Sequence, residues 1–255
     1  MLLKDQVAMV TGSGQGIDRA IARPLSREGA SVVIAERTHD QGIKTTEEVQ
    51  AAGGKALFVP TDVASEAQVK AVVAKTVETF GRLDILINNA ATDVKKPLLE
   101  TSEEEWDFVL DVNLKRQFLC AKAAVPHMIT QGRGSIVNIS SVIALRSELY
   151  FGAYCASNAG ILGLTRSMVI EWAPRGIRVN CILPGPIDTP MKWRYVKENE
   201  VEDVRRAAER SVPLGRIGYP DEIAQGALCL CSEAASYACG SFIELDGGIG
   251  SRYSP

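Results

Sequence analysis

A phenol and a carboxamide stand four residues apart at Tyr154 and Asn158, so a helix carrying them shows both on one face. A free phenol ionises near pH ~10 and is a poor base at neutrality. A neighbouring cation would lower that value, but Asn158 brings no charge. The segment Thr11-Gly12-Ser13-Gly14-Gln15-Gly16-Ile17 carries a different chemistry, following a β-branched run and opening a helical one. Glycines in that setting let backbone approach a pyrophosphate, and the helix N-terminus adds free N–H groups and a positive dipole end. Gly12, Gly14, Gln15, Gly16 and Ile17 are therefore candidate phosphate-binding residues. Glu36 closes the next apolar run, where a carboxylate can accept from ribose hydroxyls and would repel a 2′-phosphate. Arg37 beside it could pair with that phosphate. The acidic residue coming first favours NAD over NADP.

These groups need elements to position them. Seven short runs read as strands: Val7–Thr11, Ser31–Ala35, Ala56–Val59, Ile85–Asn88, Ser135–Ile139, Arg178–Leu183 and Phe242–Leu245. Most are apolar on both faces, as buried parallel strands should be. Between them lie the helical stretches Ile17–Glu28, Asp40–Ala52, Glu66–Phe80, Glu103–Met128, Tyr154–Ala173 and Asp221–Leu230. This alternation predicts an α/β fold, a doubly wound seven-stranded parallel sheet with helices on both faces, formed by 1–255 as one domain. Residues 188–212 break the rhythm with many charges and Met191, Trp193 and Tyr195, as expected of a lid over substrate. Pro24 falls inside the first helix, where an interior proline costs about 3 kcal/mol.

Composition narrows the classes. A net charge of −3 and the absence of like-charge blocks argue against a nucleic-acid surface. No apolar run approaches the roughly 20 residues that span a bilayer, and no signal peptide opens the chain, so a cytoplasmic protein is expected. The six cysteines lack metal-ligand spacing and are expected to be reduced and buried, while His39 and His127 are too isolated for a zinc site.

The motifs resemble, over nearly the whole chain, those of the short-chain dehydrogenases/reductases, with members such as 3-oxoacyl-acyl-carrier-protein reductases and glucose dehydrogenases. Thr11, Gly12 and Gly16 match that family's cofactor turn, and Asp62-Val63 is similar to its adenine-contacting pair. Asn88-Asn89-Ala90 resembles the end of its fourth strand, with Ala91 in place of a glycine. Asn113 looks like the helix asparagine that anchors a proton-relay water, and Ser141, thirteen residues before Tyr154, matches the catalytic serine. Pro184-Gly185, Ile187 and Thr189 resemble the segment that holds the nicotinamide carboxamide.

The resemblance implies a Rossmann fold binding NAD(P), and interconversion of a secondary alcohol and a ketone by hydride transfer. Tyr154 would be the acid/base, Ser141 would polarise the substrate oxygen, and position 158 would bond the nicotinamide ribose. Substrate would meet Ser141, Ile143, Tyr154, Pro186, Met191 and Trp193, and the protein would be a homotetramer. Two departures stand out. Asn158 replaces the family's lysine, whose charge lowers the phenol pKa. Asp18 replaces its third glycine, adding bulk and like charge near the pyrophosphate. Both predict a weakened enzyme. A catalytically silent nucleotide-binding or interaction protein is the alternative; a lyase or dehalogenase is opposed by the persistence of the glycine turn and of Pro184-Gly185.

Overall fold

The computed structural model describes residues 1–89 and 91–251. All seven expected strands form: β1 (Val7–Thr11), β2 (Ser31–Glu36), β3 (Lys55–Pro60), β4 (Ile85–Asn88), β5 (Gly134–Ile139), β6 (Ile177–Pro184) and β7 (Phe242–Leu245). They pair in parallel in the order β3-β2-β1-β4-β5-β6-β7. β1 and β4 are buried along their whole length, whereas the edge strand β3 is partly exposed, so the run without polar alternation marks the sheet centre.

The helices are α1 (Gly16–Arg27), α2 (His39–Ala51), α3 (Glu66–Phe80), α4 (Glu103–Leu110), α5 (Arg116–Gln131), α6 (Gly152–Trp172), α7 (Pro190–Trp193), α8 (Val201–Ser211) and α9 (Pro220–Cys231). On one face of the sheet α1 and α9 bury Ile21, Leu25, Ile223 and Leu228 with Val49 of α2. On the other, α3, α5 and α6 bury Val69, Val73, Cys120, Met128 and Met168. Two apolar layers thus clamp the sheet and leave the C-terminal ends of the strands open, with β1 and β4 at the topological switch point.

One helix departs from expectation. The stretch predicted as one helix over Glu103–Met128 is interrupted by a π-helical turn at Asp111–Lys115. The wider turn rotates Asn113 inward, away from the amphipathic register that the sequence suggests. Pro24 lies inside α1 without ending it, buried in the layer shared with α9. Cysteines 120, 181 and 231 are buried as expected, but Cys229 is exposed on the outer face of α9, and all six are free thiols. Among the described residues no helix is long and apolar enough to cross a membrane.

Candidate active site

The open strand ends border a cleft of about 760 Å³. At its floor Thr11 ties β1 to β4: its hydroxyl donates to the Ile87 carbonyl at 3.2 Å and accepts the Asn89 N–H at 3.3 Å. The glycine turn then bends sharply, with φ of 75° at Gly12 and 60° at Gly16, values that favour glycine. Gly12, Gln15, Gly16 and Ile17 line the cleft as expected. Gly14 does not. Its N–H donates to Glu36 at 3.1 Å and to the Gly12 carbonyl at 2.8 Å, and a Cβ there would meet the Gln41 side chain at 2.5 Å. Gly14 therefore shapes the turn and holds Glu36 rather than facing a ligand.

Glu36 is buried at the end of β2 and also accepts the Thr38 N–H at 2.7 Å, so two backbone donors fix its carboxylate at the cleft wall. Arg37, Asp62, Val63 and Asn89 line the same end. Ala90 lies outside the described residues. Pro184, Gly185, Ile187 and Thr189 close the opposite wall after β6. A dinucleotide fits this cleft: the glycine turn brings backbone to its rim at a helix N-terminus, and an acidic side chain stands at the end of β2.

Asp18 lines the cleft beside the glycine turn. Its side chain is buried beneath the turn, with Oδ1 lacking a hydrogen-bond partner, and it feels the charges of Arg116 and Glu36. Burial holds its carboxyl well above the usual carboxylate range; the hydrogen bond from Asn89 and the Arg116 guanidinium act the other way. Arg116, at the start of α5, is the residue that sequence reasoning missed here. It is only 6% exposed, and loss of hydration lowers its pKa to about 10, against the opposing pull of Cys120, Asp18, Asp62 and Glu36. A lone arginine in an amphipathic helix gives no signal in sequence that it points inward.

At the other end Tyr154, on the first turn of α6, faces Ser141, which caps the turn after β5. Both line the cleft with Ile143, Pro186 and Met191, as expected of substrate-facing residues. Desolvation pushes the Tyr154 phenol up to about 12; the Asp93 carboxylate and Cys155 add to the rise, and hydrogen bonding with Ser141 and Asn158 opposes it. Among the described residues no cation acts on this phenol. Asn158 is buried, and its amide donates to the Tyr154 carbonyl at 2.9 Å, while its own carbonyl accepts from Ser140 at 3.0 Å. It is not among the residues that line the cleft.

Asn113 also sits behind the wall. Its Oδ1 accepts the Thr92 N–H at 2.8 Å, and its amide donates to the Thr92 carbonyl at 2.9 Å and to Ser157 at 3.0 Å. The π turn thus makes it a brace between the segment after β4 and α6, rather than a side chain open to water.

The 188–212 segment borders the cleft and is tied to Asp93, another residue that the sequence did not flag. Arg194 Nη1 donates to Asp93 Oδ1 at 2.6 Å, and the Tyr195 hydroxyl lies 3.1 Å from the Asp93 carbonyl. Met191, Tyr195 and Val204 face inward. Trp193, expected at the substrate, turns away: its indole N–H donates to Asp188 at 2.7 Å and its ring lies under Arg205 at 4.8 Å. An amphipathic tryptophan near charge is better held by that pair than by an apolar pocket.

A doubly wound sheet with a glycine turn, an acidic residue ending β2, and a serine and tyrosine facing each other across the strand ends defines a nucleotide-dependent oxidoreductase scaffold. Residues 12–250 match the family model described as enoyl-(acyl carrier protein) reductase. The chain is 39% identical over 249 residues to a 3-oxoacyl-acyl-carrier-protein reductase of Thermotoga maritima, covering 98% of this chain and 99% of that one. It is 38% identical over 249 residues to a 3beta-hydroxysteroid dehydrogenase of Eggerthella lenta, covering 97% and 94%. The crystal structure of a levodione reductase superposes with a TM-score of 0.92 at 34% identity, covering 98% of this chain and all of that one. The protein belongs to the short-chain dehydrogenase/reductase family, NAD(P)-dependent oxidoreductases acting on CH–OH groups.

Proposed function

We propose that this protein is an NAD-preferring carbonyl reductase, a soluble cytoplasmic enzyme whose site favours reduction of a ketone over oxidation of a secondary alcohol. The observation that carries the direction is the Tyr154 phenol, pushed up to about 12 with no cation beside it. A phenol of that kind stays protonated at neutral pH, so it can act as an acid and is a scarce base.

The reduced nicotinamide, when bound, supplies the hydride. Tyr154 gives its proton to the carbonyl oxygen as that oxygen gains charge, and is reprotonated from solvent. Ser141 donates a hydrogen bond to the same oxygen, stabilising the developing alkoxide. Asn113 holds Thr92 and Ser157, keeping the two cleft walls in register. Asn158 orients the first turn of α6 through the Tyr154 carbonyl. Glu36 selects the ribose diol, since a 2′-phosphate would meet a carboxylate already fixed by two N–H groups.

The 188–212 segment serves as the lid, latched to Asp93. A homotetramer is supported by apolar side chains left exposed on the helices that follow β4 and β5: Phe108 at 51%, Phe118 at 43% and Ile170 at 79%.

The silent alternative rests on the same missing cation. One experiment separates the two: titration with NADH, then assay of cyclic and acyclic ketones with the native chain and with Tyr154→Phe. NADH binding with ketone turnover that vanishes in Tyr154→Phe supports the reductase. NADH binding with no turnover on any ketone, and none gained by Asn158→Lys, supports the silent protein.

A further inference from the structure

Beside the reacting phenol stands an aromatic ring with a cation set on it. The Phe151 and Tyr154 rings meet edge-on at 6.2 Å, and Lys95 Nζ lies 5.8 Å from the Phe151 centroid. All three residues line the cleft. The backbone here is strained: Tyr150, just before Phe151, has φ of 71°, a left-handed conformation that a bulky residue keeps only where its surroundings fix it. One tie comes from the segment after β4, where the Lys96 N–H donates to the Tyr150 carbonyl at 2.8 Å. The same two segments thus bring Lys95 to Phe151 and Phe151 to Tyr154.

The cations around Lys95 are committed, and Lys95 is not. Lys96 pairs with Glu105 at 2.8 Å, and Arg194 with Asp93 at 2.6 Å. Among the described residues Lys95 has no carboxylate partner. An exposed ammonium over a ring is held weakly, so an anion that can bond it directly displaces that contact. Lys192 of α7 lines the same cleft, likewise without an ion pair among the described residues. Asp93 does not oppose an incoming anion, since Arg194 already offsets it. The opposing charge is Glu148, exposed in the loop after β5.

We propose that Lys95, set on Phe151, is a specificity-determining residue that binds a carboxylate of the substrate, so that oxo acids are preferred to neutral ketones. The inference rests on the ketone reduction proposed above and names its substrate class. The substrate carbonyl meets Tyr154 and Ser141 while its carboxylate reaches past Phe151 to Lys95, and Lys192 adds to the positive field. The carbonyl carbon takes the hydride and its oxygen takes the Tyr154 proton. The carboxylate is unchanged, and the product is a hydroxy acid.

Acetoacetate and levulinate, each beside its methyl ester, test this with NADH and three proteins: native, Lys95→Met and Lys95→Arg. The esters keep the carbonyl and remove the charge. For at least one acid, the native kcat/KM is expected to exceed that of its ester by about tenfold or more. Lys95→Met should bring that acid to within about threefold of its ester, chiefly through KM, and leave the ester's kinetics unaltered. Lys95→Arg, which keeps the charge, should retain most of the preference. Lys95 is exposed, so both variants should melt at the native temperature.

Esters reduced as well as their acids overturn the proposal, as does an acid preference that survives in Lys95→Met. Failure of the reductase assignment reads differently: no acid or ester is turned over. Dissociation constants of acid and ester from the NADH complex, read by NADH fluorescence, then decide. Tighter binding of the acid that is lost in Lys95→Met upholds the subsite; equal binding, or none, overturns it.

Discussion

The two ends of the cleft meet the loss of an expected residue in opposite ways. At the dinucleotide end, Asp18 stands where the resemblance implies a glycine, and its buried side chain lies in the field of an equally buried arginine, Arg116. At the reaction end, Asn158 stands where the resemblance implies a lysine, and among the described residues no cation acts on the Tyr154 phenol, while the carboxylate of Asp93 pushes it further up. The comparison teaches that a rule-breaking residue has to be weighed with what packs against it. A substitution at a helix–helix contact can be answered by its neighbour, whereas a missing charge at a solvent-shielded hydroxyl can be answered only by another charge within a few ångströms.

Breaking the reaction end directly should produce the largest effect. Tyr154→Phe is expected to lower ketone reduction by about 10²–10⁴-fold, with NADH affinity within about threefold of native. Steady-state kinetics alongside an NADH titration checks both parts. Supplying the missing cation comes next. An ammonium near 4 Å at an effective dielectric of about 20 is worth up to about 4 kcal/mol, or roughly 3 pKa units on the phenol. Asn158→Lys should therefore speed alcohol oxidation at pH 8 by about 10²–10³-fold, measured by NADH formation.

The dinucleotide end should respond more gently. Glu36→Gln removes the charge and keeps one of the two acceptors that hold Gly14 and Thr38, and is expected to narrow the preference for NADH over NADPH by about five- to tenfold. Paired dissociation constants for the two nucleotides would show it. The smallest change belongs to the lid. Arg194 is 40% exposed on its side chain, so its bond to Asp93 is screened and worth about 1 kcal/mol. Arg194→Met should raise the KM for ketone by about three- to fivefold and leave kcat nearly unaltered.

Much of this was legible in the chain itself. Strand runs without polar alternation placed all seven strands within a residue or two, because central parallel strands must be apolar on both faces. The glycine turn, Glu36, Ser141 and Tyr154 were readable because their chemistry depends on local sequence and register. What escaped notice depends on direction rather than type. The π turn at Asp111–Lys115 has no composition of its own, yet it turns Asn113 toward Thr92 and Ser157. Trp193 was expected among the substrate contacts and instead pairs with Asp188 and Arg205. Asp93 and Arg116 carry no motif, and only the fold brings one against Arg194 and the other to the cleft beside the glycine turn. Asn158 stood out for the charge it lacks, while the bond its amide donates to the Tyr154 carbonyl could be read only from the fold.

The pH dependence of alcohol oxidation tests the central claim most directly. Oxidation needs the phenolate, so with Tyr154 held near 12 the rate of the native protein should rise about tenfold per pH unit from pH 7 to pH 10 without levelling. Reduction, which needs the phenol, should stay nearly flat over the same range. Asn158→Lys should bring the oxidation profile to a plateau about 3 units lower. A native profile that already levels near pH 7–8, and that Asn158→Lys leaves in place, would contradict a reaction site lacking its cation.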